Sequence, residues 1–164
     1  MNPNATIPML THGHTKVIGD GESIYNYMVN SCEEVSNHFF HEAQSRKINE
    51  IMSYFMRTIR RVTGKLIQAV ANPKVFGQKR RTDDKRIKQY LSEFFDLILT
   101  KLDAYLIKGG YITGPKITIV DIMIVCEIET ICRMYKRELP QNLTKLADWH
   151  GRLIEERALK KVNV

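Results

Sequence analysis

Apolar positions along the 164-residue chain change their spacing twice. In residues 1–20 they form two short runs, Ile7-Pro8-Met9-Leu10 and Thr15-Lys16-Val17-Ile18. Thr11-His12-Gly13-His14 lies between them, and Pro3, Pro8, Gly13 and Gly19 exclude a helix. Two short runs joined by a glycine-containing tetrapeptide predict a β-hairpin. A lone hairpin is marginal in water, so this one must lean on another element. Gly21-Glu22-Ser23 then opens a short helix expected to place Ile24, Tyr27 and Met28 on one face.

From about Ala43 the spacing lengthens to steps of three and four: Ile48, Ile51 and Met52, Phe55, Ile59, Val62, Leu66, Val70. That is the stripe of a long amphipathic helix, and Asn72-Pro73 stops it. Residues 73–81 form a basic loop. Thr82 with Asp83-Asp84 signals the next helix start, whose stripe is Ile87, Leu91, Phe94, Ile98, Leu102 and Tyr105, ending at Gly109-Gly110. Two such helices with a short connection pack as an antiparallel pair. After Gly114-Pro115, Thr118 is an N-cap; Asp121, three residues on, reaches back to its N–H, and Ile117 staples against Ile122. The following helix (Ile119, Ile122, Met123, Ile124, Val125, Cys126, Ile128, Ile131, Cys132, Met134) is apolar nearly all round, which places it at the centre of a bundle with both cysteines as buried packing residues. Two closing helices are expected over 142–153 and 155–162, the first carrying the sole tryptophan, Trp149. The fold class read from these patterns is mostly α.

Composition adds boundaries. Hydrophobic residues at 43% and charged residues at 26% suit a globular domain. No apolar run approaches the roughly 20 residues of a membrane helix. The N-terminal residues lack a basic n-region and an apolar h-region, so no secretory signal is read. Three cysteines give no disulfide framework, and a reducing compartment is expected: the cytoplasm, with the mitochondrion as the alternative. Charge changes the picture more. Between Arg57 and Lys88 lie eleven Lys/Arg against Asp83 and Asp84, a net +9, so the rest of the chain sums to −2 against an overall +7. The basicity is a local patch.

Several segments together resemble the glutathione transferase family. Tyr111-Ile112-Thr113-Gly114-Pro115-Lys116-Ile117-Thr118-Ile119-Val120-Asp121 is similar to that family's entry into its buried central helix. Leu139-Pro140-Gln141-Asn142-Leu143, Trp149, Arg152 and Ala158-Leu159-Lys160-Lys161 resemble its closing segment. Asn2-Pro3-Asn4-Ala5-Thr6-Ile7-Pro8-Met9-Leu10 and Gly21-Glu22-Ser23-Ile24-Tyr25-Asn26-Tyr27 resemble the end of its thioredoxin-like domain. The Thr-Gly-Pro run and the basic first bundle helix suggest the theta-like class. The resemblance covers essentially the whole chain. It implies a remnant of the thioredoxin-like domain over residues 1–32, a hairpin plus a helix, and a complete all-helical C-terminal domain over 43–164. Because Met1 stands directly before the Asn-Pro motif, the segment that carries the family's catalytic Ser, Tyr or Cys is expected to be absent.

By the same resemblance, Ile7, Pro8, Glu22 and Ser23 match the family's glutathione-binding positions. A helix start offers free N–H groups and a positive dipole to a carboxylate, and a cis-capable X-Pro bond can present backbone to a peptide-like ligand. Simple helix capping at Glu22-Ser23 and a fold-stabilising turn at Pro8 account for the same residues. With no thiolate-stabilising residue, no catalytic residue is assigned, no cofactor is expected, and glutathione binding would be weak. His12, His14, His38 and His41 lack a completing Cys or carboxylate, so no metal is expected. Lys79, Arg80, Arg81, Lys85, Arg86 and Lys88 form either a solvated basic loop or a contact for an acidic protein surface. Nucleic acid is not the expected partner, because no aromatic is interleaved for base stacking. The leading expectation is a non-catalytic structural or accessory subunit whose partner protein covers residues 1–30. The alternatives are a glutathione transferase whose catalytic segment another chain supplies, or is missing from the gene model, and a translation-linked docking module.

Overall fold

A computed structural model describes residues 9–18, 21–70 and 84–156. The chain divides into two compact units, Met1–Ser45 and Arg46–Val164. In the first, strands β1 (Met9–His12) and β2 (Thr15–Ile18) pair antiparallel in the register Met9 to Ile18 and His12 to Thr15. The hairpin is closed by Gly13-His14, with Gly13 at φ +55°. A two-residue hairpin turn needs that left-handed backbone, and glycine takes it without a Cβ clash. Helix α1 (Gly21–Ser31) follows. The hairpin meets it through His12, whose Nδ1 lies 3.1 Å from the Tyr27 hydroxyl. The inward residue of α1 is Tyr25, its ring 6.3 Å from Phe40. The expected face was Ile24, Tyr27 and Met28, yet Ile24 and Tyr27 are half-buried and Met28 is exposed. Helix α2 (Glu33–Phe39) carries no buried residue, and so no apolar stripe from which to read it. A 3-10 turn, Glu42–Gln44, leads on from it.

The second unit is the helical bundle. Ser45–Tyr54, a π turn at Phe55–Ile59 and Arg60–Val70 run on as helix α3. Asp84–Ser92, a π turn at Glu93–Ile98 and Leu99–Tyr105 form α4, which packs on α3. Helix α5 (Ile119–Tyr135) packs on α3, and α6 (Thr144–Glu155) packs on α4 and α5. Ile48, Ile59, Val62 and Leu66 meet Phe94, Leu99, Ile124, Ile128, Ile131, Leu146, Trp149 and Leu153 in a fully buried core. The two long stripes depart from expectation at their ends, where Val70 and Tyr105 are exposed. Each helix also contains a π turn that spacing alone does not announce. Threonine hydroxyls add donors there, Thr63 to the Ile59 carbonyl at 3.1 Å and Thr100 to the Asp96 carbonyl at 2.8 Å.

Polar ties lock the helices at their joints. The Tyr135 hydroxyl donates to the Leu66 carbonyl at 2.8 Å, and Arg60 pairs with the buried Glu127. Asp103 of α4 accepts from the Leu146 N–H at 2.8 Å, supplying the cap that Leu143 cannot provide for α6. Glu129 on α5 meets His150 on α6 at 2.7 Å. Helix α5 is buried along Val120, Ile124, Val125, Ile128 and Ile131, but not all round. Cys126 is exposed and Cys132 half-buried, which corrects the reading of both as buried packing residues. Six residues along a helix turn a side chain well away from its starting direction, so both could not share the inward face.

The C-terminus of α5 ends in a Schellman arrangement. The Arg137 N–H donates to the Cys132 carbonyl at 3.0 Å, and Lys136 sits in the left-handed region at φ 51°, ψ 47°. A residue with a Cβ is strained there by about 1–2 kcal/mol. Lys136→Gly is therefore expected to raise stability by about 0.5–1 kcal/mol, the greater unfolded-state freedom of glycine offsetting part of the gain. Urea denaturation of the two proteins checks the sign.

Candidate functional site

The most organised polar site in the helical unit is built on Asp121, which has no solvent exposure. Its position follows from the local sequence. Thr118 takes extended backbone as N-cap, and the third helical residue then lies beneath it. Oδ2 of Asp121 accepts from the Thr118 N–H at 2.9 Å and from the Thr118 hydroxyl at 2.8 Å. Oδ1 accepts from the Ile112 N–H and from the Trp149 indole N–H, both at 2.9 Å. One carboxylate thus receives four donors from the loop before α5, the cap of α5 and the middle of α6. Nearby, Arg152 donates to Asp148 and to the Gly110 carbonyl, with its guanidinium 5.5 Å from the Tyr111 ring centroid. The capping role was readable from Thr-x-x-Asp. The bonds to Ile112 and Trp149 were not, because they join residues 9 and 28 positions away.

This site is structural chemistry. Every lone-pair direction of the carboxylate is used within the chain, so nothing remains for a ligand. Ser23 lies in the first turn of α1, exposed, beside Glu22; Ile7 and Pro8 fall outside the described residues. Lys85, Arg86 and Lys88 are exposed on α4, while Lys79, Arg80 and Arg81 fall outside the described residues. His12 is engaged with Tyr27, and among the described residues no set of three His, Cys, Asp or Glu side chains is placed to hold a metal. Among the same residues no helix is long and apolar enough to cross a membrane.

The hydroxyls and thiols with clearly displaced acidity all move one way. Burial pushes the Tyr25 phenol up to about 12, and the Tyr54 and Tyr135 phenols also rise through burial, with Tyr105 adding to the first of these two. Burial, and then the Glu129 carboxylate, raise the Cys132 thiol to about 11 and push the Cys126 thiol up as well. Groups shifted in this direction hold their protons, so neither α5 cysteine is a ready thiolate.

An all-helical bundle whose central helix starts on a buried Thr-x-x-Asp cap, preceded by a hairpin and a helix, defines a class that comparison identifies. Residues 67–162 match the family described as "Glutathione S-transferase, C-terminal domain", and the chain belongs to that family. Solved structures agree on the fold. A glutathione S-transferase from Rhodospirillum rubrum superposes with a TM-score of 0.79 at 19% identity, over 96% of this chain and 70% of that one. A glutathione S-transferase-like protein from Lodderomyces elongisporus gives 0.75 at 20% identity, over 98% and 73%. A theta class glutathione S-transferase from Xanthomonas axonopodis pv. citri, solved with glutathione bound, gives 0.72 at 20% identity, again over 98% and 73%. No curated protein matches the sequence.

Two outcomes are expected from this geometry. Asp121→Ala leaves four donors without their acceptor, and at about 1–3 kcal/mol for each one that stays dry the loss should reach about 3 kcal/mol or more. Asp121→Asn, which keeps an acceptor oxygen, should cost less; denaturation followed by Trp149 fluorescence reads both. For Cys132, a rise from 9.0 to about 11 lowers the thiolate fraction at pH 8 about 100-fold, and the greater nucleophilicity of a basic thiolate restores about a factor of ten. Labelling by a disulfide reagent should therefore be about tenfold slower folded than unfolded, and should accelerate as pH rises towards 11.

Proposed function

We propose that this glutathione-transferase-fold chain acts as a non-catalytic structural or accessory subunit of a larger protein assembly. The observation that carries this reading is the sheet edge that the first unit leaves without a paired strand among the described residues. Glutathione conjugation requires a hydroxyl or thiol that lowers the glutathione thiol pKa, because the thiolate is the nucleophile. The resemblance to the family assigns no residue of this sequence to that role. The first unit supports a partner over residues 1–30. Among the described residues its sheet has only two strands, so each keeps an outer edge without a paired strand, and Met9 on β1 and Met28 on α1 are exposed. Strand edges and apolar side chains of this kind are satisfied together by an added strand or a helix laid across them. Three unbonded cysteines fit a reducing compartment.

A second reading is favoured by Ser23 in the first turn of the 11-residue helix α1. A helix start with a hydroxyl suits a glutathione carboxylate, and the Xanthomonas structure with glutathione bound shares this fold. In that reading the chain is a glutathione transferase completed by a catalytic segment that another chain supplies. The separating experiment is conjugation of glutathione to an electrophile by the purified chain. No turnover above the buffer rate is expected. Turnover that disappears with Ser23→Ala would overturn the subunit reading in favour of the transferase.

A further inference from the structure

The strongest unassigned feature of the helical unit is the solvent side of the α3–α4 pair. Arg57, Arg61 and Lys65 on α3 are exposed, as are Lys85, Arg86 and Lys88 on α4. The ion pair between Arg61 and Glu93 ties the two helices side by side, so their cations form one field. Two carboxylates within it are engaged, Glu93 by Arg61 and Asp96 by the Ser92 hydroxyl at 2.6 Å, and Asp84 stands exposed in the first turn of α4. Along α4, Lys85, Lys88, Gln89, Ser92, Glu93 and Leu97 line an open cleft of about 530 Å³. Leu97 is 58% exposed, one of the least covered large apolar side chains among the described residues. The π turn at Glu93–Ile98 helps to place it there, because its wider turn carries Leu97 round towards the line of Lys88 and Ser92. An apolar anchor inside a charged rim is the composition of a protein contact.

We propose that this face docks an acidic amphipathic helix of a partner protein. The partner's carboxylates face the Lys85, Lys88 and Lys65 side chains, and one of its apolar residues packs on Leu97. Charge selects this occupant over two others. A second copy placed about a two-fold axis sets cations against cations, which disfavours self-association through the face. A nucleic acid gains its phosphate contacts but finds no exposed aromatic among these residues to stack on. An acidic helix meets the cations and supplies the apolar partner for Leu97 at once. The inference rests on the subunit reading only in requiring a protein partner, and it holds whether or not thiol chemistry survives.

The test uses the full chain and a labelled Glu/Leu amphipathic peptide of about five helical turns, followed by fluorescence anisotropy at low and high salt. Saturable binding that weakens with salt is expected. Lys85→Glu combined with Lys88→Glu should weaken it about 100-fold, and Leu97→Ala about tenfold, with circular dichroism unchanged. Absence of peptide binding at low salt overturns the proposal. So does tighter binding of a single-stranded RNA of matched charge, which would assign the face to nucleic acid. Equal binding of a proline-interrupted peptide of the same composition, insensitive to Leu97→Ala, would reduce the face to unspecific charge and also overturn it. If the peptide fails while conjugation activity is absent, the subunit reading stands with a different contact. If the peptide binds while conjugation is found, the docking face stands and the subunit reading falls.

Discussion

A buried carboxylate is tolerated only when its charge is met by donors on every side, and Asp121 imposes that condition on the bundle. Its four donors come from the loop at Ile112, from both the backbone and hydroxyl of Thr118, and from Trp149. None of these can move without leaving a charge unmet in a dry interior, where the cost is several kcal/mol. The entry into α5, the conformation of the loop before it and the placement of α6 are therefore one decision. Arg152 extends the same constraint outward by fastening the Gly110 carbonyl to α6. Hydrophobic burial drives the helices together, but it is non-directional. The carboxylate supplies the direction.

Several other polar groups tie the bundle at lower stakes, although the second carboxylate oxygen of Glu127 and the Tyr54 hydroxyl are buried with no hydrogen-bond partner. Glu127 is buried and meets Arg60, which lies on the surface; Tyr135 spans from α5 to the Leu66 carbonyl; Asp103 caps α6 from a neighbouring helix. Each tie joins two helices near an end or an edge, leaving the centre to Leu, Ile, Phe and Trp. In a bundle built in this way most of the charged side chains lie on the outside. That division matters for function, because a fold shared with transferases does not by itself carry their activity. The interior of the helical unit is packed from apolar side chains fastened by these ties. Its outside carries strand edges and methionines in the first unit and a field of cations around Leu97 in the second.

Much of this architecture was legible in the residues. Two short apolar runs around a glycine-containing tetrapeptide located the hairpin, and steps of three and four located α1, the two long helices, the central helix and α6, because each of these helices turns apolar residues inward. Thr118 and Asp121 were readable as a cap because the motif spans only three residues. The lapses have a common cause. Val70 and Tyr105 continue their stripes in sequence but lie at helix ends, where no neighbour covers them. Tyr25 outcompeted Ile24, Tyr27 and Met28 for the inside of α1 through its contact with Phe40, a residue 15 positions away. Helix α2 has no buried side chain and left no pattern.

The sequence by itself thus determined the hairpin, α1, the two long helices, the central helix and its start, and α6, together with the resemblance to glutathione transferases and the concentration of charge before and within α4. These properties depend on residues close together along the chain. Only the tertiary structure decided that the Asp121 carboxylate also holds Ile112 and Trp149, that π turns interrupt both long helices, and that Arg61 and Glu93 join α3 and α4 into one charged face. It also decided that Cys126 faces outward and that Cys132 is the thiol pushed up to about 11. These properties depend on desolvation and on donors brought from distant segments. Neither can be read from a sequence until packing has chosen which side chains meet.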